Sequence, residues 1–210
     1  MFIEQGGFSI STTGYNIFLG FYKIISSILK PIEEKPDTKD SDIEWDVSHK
    51  QLKPGENITI TGNTKPDARI NMIVRFNVAV EVNDGRYSHD FRKVQIPEGP
   101  NEFKVQTRPV KNMTFTVKML MPFRQHRDAE ESVATYIDTN VPSGTFNINI
   151  SGDAQENTET VQMDVKASQV IQADPEGNIR YTYDTTPFRP GVVEIEIGND
   201  KKEVELIGED

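Results

Sequence analysis

From Ile43 onward, apolar and polar residues alternate through most of the chain. Asn57-Ile58-Thr59-Ile60-Thr61, Phe115-Thr116-Val117, Phe146-Asn147-Ile148-Asn149-Ile150 and Val192-Val193-Glu194-Ile195-Glu196-Ile197 each send every second side chain to one face. A period of two with many β-branched residues predicts strands that bury one face. Turn clusters stand between them: Lys53-Pro54-Gly55, Asn83-Asp84-Gly85, Glu98-Gly99-Pro100, Pro142-Ser143-Gly144, Glu176-Gly177-Asn178 and Gly198-Asn199-Asp200. Parallel neighbours need crossovers of a dozen residues or more, usually helical, and none lies between these strands. The fold class expected is mainly β and antiparallel.

The start of the chain has a different period. Phe18, Phe21, Ile25, Ile28 and Leu29 fall at helical spacing, Ile17 and Ile24 widen the stripe, and Lys30-Pro31 ends it, although Gly20 weakens the pattern. Residues 1–31 are thus expected to carry one N-terminal amphipathic α-helix. Residues 32–42, which include the charged run EEKPDTKDSD, read as a solvated linker. The apolar stripe needs a partner. It can pack on its own chain, assemble copies into an oligomer or filament, or lie in a membrane interface through residues 15–29. The stretch Tyr15 to Leu29 contains Lys23 and, as a helix, rises only ~22 Å against a hydrocarbon core of ~30 Å, so a membrane span is not expected. Glu4, and a first lysine at position 23, do not fit a secretion signal.

An internal repeat organises the rest. Pro54-Gly55 through Ile60 to Gly62 matches Pro142-Ser143-Gly144 through Ile150 to Gly152. Asn83-Asp84-Gly85-Arg86-Tyr87 matches the segment Asp174 to Tyr181, and Ile96-Pro97 through Val105 matches Thr186-Pro187 through Ile195. The offsets are 90 residues from Gly62 to Gly152, 92 from Gly85 to Gly177 and 90 from Pro97 to Pro187. Ile43–Val47 matches Val133–Ile137 more loosely. Two homologous antiparallel β-sandwiches in tandem are expected, at 43–118 and 133–210, joined by a connection at 119–132.

These segments, the second above all (DPEGNIRYTYDTTPFRPGVVEIEIG), resemble immunoglobulin-like modules of archaeal cell-surface proteins of the methanogen type. The resemblance covers about 70% of the chain and implies two tandem immunoglobulin-like domains. It also implies a surface role, since such modules serve as stalks, spacers, adhesins and filament parts. An extracellular or cell-surface location follows from the resemblance, with a cytoplasmic one left open.

Charge and chemistry refine this picture. The chain carries 23 basic and 33 acidic residues, net −10, a poor balance for binding nucleic acid. The charge is uneven: residues 86–127 sum to +6 and residues 128–210 to −13, which permits head-to-tail attraction between copies. With no cysteine, disulfides and thiolate chemistry are excluded. His49, His89 and His126 fall in separate segments, no nucleophile elbow, zincin or phosphate-loop motif occurs, and no catalytic residue is expected. No cofactor is required. Calcium is the one metal worth weighing, with Asp174, Glu176 and Asn178 as an oxygen-rich fragment, although the matching turn at Asn83-Asp84-Gly85 suggests a plain β-turn. Trp45, Tyr136 and Tyr181 are expected to pack in cores or, alternatively, to form a platform for a sugar ring. Asn57, Asn112 and Asn149 head glycosylation sequons.

The function expected is a non-enzymatic structural or adhesion protein of a surface, self-associating or anchored through its helix. The alternatives are a module that binds carbohydrate or other surface proteins, and a subunit of a filament or virion.

Overall fold

The computed structural model describes residues 43–208. The expected helix with Phe18, Phe21, Ile25, Ile28 and Leu29, and the linker at 32–42, lie outside the described residues.

The described chain is β throughout. Its strands are β1 (Glu44–Val47), β2 (Gln51–Leu52), β3 (Asn57–Asn63), β4 (Arg69–Glu81), β5 (Arg86–Ile96), β6 (Asn101–Arg108), β7 (Asn112–Lys118), β8 (Phe123–Asp128), β9 (Ala134–Thr139), β10 (Gly144–Asp153), β11 (Thr160–Gln172), β12 (Asn178–Asp184), β13 (Gly191–Ile197) and β14 (Asp200–Leu206). They form three sheets, in the orders β1-β3-β12, β5-β10-β7-β8 and β2-β14-β13-β4-β11-β6-β9. Every named pair is antiparallel except the short β2–β14 pair.

The seven-stranded sheet is the backbone of the molecule. At its centre β4 and β11 pair over 13 positions, from Arg69 opposite Gln172 to Glu81 opposite Thr160. Each strand is long enough to serve two cores. Along β4, Ile70, Met72 and Val74 enter one core, and Val78 and Val80 enter the other. Along β11, Val161, Met163 and Val165 enter the second core, and Ile171 the first. The three-stranded sheet contributes Trp45, Ile58, Ile60 and Ile179 to the first core. The four-stranded sheet contributes Tyr87, Phe91, Met113, Phe115, Ile148 and Ile150 to the second. The alternation in sequence is the cause: in a strand every second side chain points to one face, so each apolar set is directed inward as a block.

The two cores do not divide the chain at 119–132. Each mixes strands from 43–118 with strands from 133–210, because strands of one repeat pair with strands of the other. β3 pairs with β12, and their counterparts β10 and β5 pair in turn. β4 pairs with β13, and β11 with β6. The repeat therefore marks strands related by an approximate two-fold axis through the Arg75–Lys166 position at the middle of the β4–β11 ladder. Matching backbone bonds follow the same axis. Thr64 N donates to Gly177 O, and Ala154 N to Gly85 O, both at 2.8 Å; Ala173 N donates to Ala68 O, and Val82 N to Glu159 O, both at 2.9 Å.

The closing glycine of each repeat has a steric reason. A Cβ on Gly62 would lie 2.5 Å from Glu44 O in β1, and one on Gly152 would overlap Asn112 O in β7. The symmetry ends at the outer strands. β1 and β7 fill equivalent places beside β3 and β10, whereas β9 sits beside β6. The loosely matched segments, Ile43–Val47 and Val133–Ile137, thus occupy different positions.

Candidate functional site

β5 and β12 are edge strands of the two smaller sheets, and together with the centre of the large sheet they line an aromatic cleft. Phe76 of β4 and Phe188, in the loop after β12, meet there with ring centroids 4.3 Å apart. Phe91 stands edge-on to Phe76 at 5.7 Å, and Tyr183 stacks on Phe188 at 5.6 Å and 4°. Tyr181, on the inward face of β12, completes the wall. Gln95 Nε2 donates to Asp184 Oδ2 at 3.4 Å, a bond that crosses from β5 to β12.

Between these groups lies a cavity of about 80 Å³. It has a cause in the repeat. The counterpart of Phe76, 91 residues on, is Ala167, which also lines the cavity. An aromatic ring on one side of the axis and a methyl on the other leave the cleft incompletely filled. That space is enough for one apolar side chain or a few waters, and too small for a whole sugar ring without rearrangement.

Gln169 supplies the polar element. Its Oε1 accepts from Tyr181 OH at 3.3 Å, while its Nε2 is buried without a partner. Turning the amide over would only exchange which end is bonded, so one end lacks a partner either way. A buried unpaired amide costs about 1–3 kcal/mol, and an incoming acceptor relieves that cost. Burial pushes the phenols of Tyr181 and Tyr183 above their ordinary value, so both remain neutral donors at physiological pH. In chemical terms the cleft offers aromatic faces, one unpaired amide and a carboxylate–amide rim. That set can bind an apolar group carrying a hydrogen-bond acceptor.

The structure separates the three aromatics singled out from sequence. Trp45 is buried in the first core with the Lys202 ammonium 5.1 Å from its ring centre. Tyr136 is buried in the second core, stacked on Phe115 at 4.3 Å and 15°. Only Tyr181 lines the cleft.

The oxygen-rich fragment is a self-contained turn. Asp174 Oδ1 accepts from Glu176 N at 3.0 Å and Asn178 N at 2.7 Å, and Asn178 Nδ2 donates to Asp174 Oδ2 at 3.0 Å. Those bonds, first among them the Asn178 side chain, hold the Asp174 carboxyl below its ordinary pKa. Among the described residues no three His, Asp or Glu side chains gather as a metal site.

Asn57 is exposed at the start of β3. Asn112 Nδ2 donates to Asp153 Oδ2 at 2.8 Å, and Asn149 Nδ2 to Ser88 Oγ and Asp90 Oδ1, each at 2.9 Å. The histidines stay apart. His49 is exposed between β1 and β2, and His126 Nδ1 shares a hydrogen bond of 3.1 Å with Thr114 on the outer face of β8. His89 is buried on β5 against Phe91, with ring centroids 4.4 Å apart. Burial, reinforced by Arg189, lowers the His89 pKa to about 4.

Phe76, Ala167, Gln169 and Phe188 carry no motif. The repeat offers a signal for the first two alone, since an alanine in one copy stands where the other has a phenylalanine. No family model, curated protein or solved structure matches the chain.

Proposed function

We propose that the protein is a non-enzymatic structural or adhesion protein of a cell surface, assembled or anchored through residues 15–29, with the β body as its partner-facing part. In this reading each pair of packed layers is an immunoglobulin-like sandwich, and the cleft between β5 and β12 receives a protein partner. The observation that supports it is the cleft, with aromatic walls, a cavity of about 80 Å³ and the unpaired Gln169 amide. A space of that size suits one inserted apolar side chain whose neighbouring carbonyl meets the amide. The stacked Tyr183 and Phe188 rings beside Asp184 favour a second reading, a sugar edge held at the rim.

Two measurements test the proposal. Light scattering after size exclusion compares the full chain with residues 43–210. A larger oligomer for the full chain, or binding by it alone to vesicles of phosphatidylcholine, is the expected result; two monomers that ignore those vesicles would remove the assembly reading. Peptide and glycan arrays probed with wild-type protein and Ala167→Met test the cleft. Methionine is an adaptable gap filler, so binding should fall by at least about tenfold; equal binding would place recognition elsewhere.

A further inference from the structure

The turn between β7 and β8 is the most apolar exposed feature of the described chain. Met119 is 49% exposed, Leu120 102% and Met121 65%. Three successive large apolar side chains stand in water at the end of a hairpin whose last pair is Val117 opposite Phe123. Isolated exposed apolar residues are ordinary; a contiguous set marks a contact site.

Cations surround this turn. Lys118 is the last residue of β7, and Arg124 follows the turn on β8, exposed. Across the sheet, Asn147 lies opposite Lys118 in register and accepts from Lys93 N at 3.0 Å. Arg92, next to Lys93, is exposed and acts on Asp90 electrostatically. Asp90, at 2.7 Å from Lys118 Nζ, is the one acid in this group of five. In a chain of net −10, four cations thus gather around an apolar turn.

We propose that the β7–β8 turn is a membrane-contact tip, which inserts Met119, Leu120 and Met121 into the interface of an anionic bilayer while Arg92, Lys93, Lys118 and Arg124 meet its headgroups. Protein hot spots fill shaped pockets, whereas a protruding run of flexible Met and Leu side chains suits a fluid phase. Basic groups beside it match the negative surface of such a membrane. The contact stands whether or not residues 15–29 anchor the chain.

The test uses the full chain carrying Leu120→Trp. Trp45 is buried and gives a constant background, so the new signal reports the tip alone. Vesicles of roughly one part phosphatidylglycerol to two of phosphatidylcholine should shift its emission to the blue, and brominated lipid should quench it. Vesicles of phosphatidylcholine alone should do neither. Each cation removed should weaken binding by about fivefold, so Arg92→Glu with Arg124→Glu should lower the bound fraction at least that much. Leu120→Asp, at a fully exposed position, should keep the wild-type melting curve and lose most of the excess flotation that anionic vesicles give over phosphatidylcholine vesicles. Unquenched emission with anionic vesicles would overturn the proposal, as would a preference for anionic over phosphatidylcholine vesicles kept in full by Leu120→Asp. A blue shift that grows with protein concentration in the absence of lipid would assign the tip to a second copy and overturn it equally.

Discussion

The shared strands make a direct prediction about cooperativity. Ile60 and Ile150 are counterparts in the repeat, both 0% exposed, one in each core. Truncating a fully buried isoleucine to alanine costs about 2–5 kcal/mol, depending on how far the cavity collapses. With a urea dependence of ~2 kcal/mol per molar, Ile150→Ala should lower the unfolding midpoint by about 1–2.5 M. The decisive point is where that loss is seen. Trp45, the single tryptophan, lies in the other core. Because β4 and β11 run through both cores, the Trp45 transition should move as far as the transition followed by far-ultraviolet circular dichroism. Ile60→Ala should give the same coincidence from the other side. A Trp45 transition left at its wild-type midpoint, with the dichroism curve split in two, would refute the coupling and restore two independent modules.

Two further outcomes follow from named contacts. His89 has its pKa lowered to about 4 from 6.5, so between those values the unfolded chain binds the proton that the folded one refuses. Stability should fall as pH drops through that window, by up to about 3 kcal/mol at about 1.4 kcal/mol per pKa unit; chemical denaturation of His89→Phe from pH 7 to pH 4 should show a flatter dependence, and an unchanged slope would remove the assignment. Gly152→Ala should destabilise by about 1–3 kcal/mol, the usual cost of overpacking, and more than Gly62→Ala. β7 is held between β10 and β8, whereas the four-residue β1 is an outer strand free to give way; thermal melts of the two variants that rank the other way would contradict this.

The strands were legible in sequence because burial on one face leaves a mark at every second residue. Val193, Ile195 and Ile197 alternate with Val192, Glu194 and Glu196, and the structure buries the first set. The repeat was legible for a similar local reason, since a glycine such as Gly62 or Gly152 is fixed by the backbone it approaches. Pairing was not legible. Alternation says which face of β12 is apolar and is silent about whether its neighbour is β3 or the strand at the same place in its own repeat. Two strands of like pattern are interchangeable partners until the whole sheet is assembled. The cleft was hidden for the same reason: Phe76, Gln169 and Phe188 are apart in sequence, and only the pairing of β4 with β11 and the return of the chain after β12 bring them together. Nothing in the sequence around Trp45, Tyr136 and Tyr181 tells a core ring from a cleft ring, and the first two pack in the cores while Tyr181 lines the cleft.

The interleaving also constrains biosynthesis. When β3, β4 and β5 leave the ribosome, their partners β12, β11 and β10 have not yet been made, so neither core can close. β5, β4 and β3 wait with open edges until β10, β11 and β12 in turn have emerged, and during that interval they are most exposed to wrong partners, a neighbouring nascent copy included.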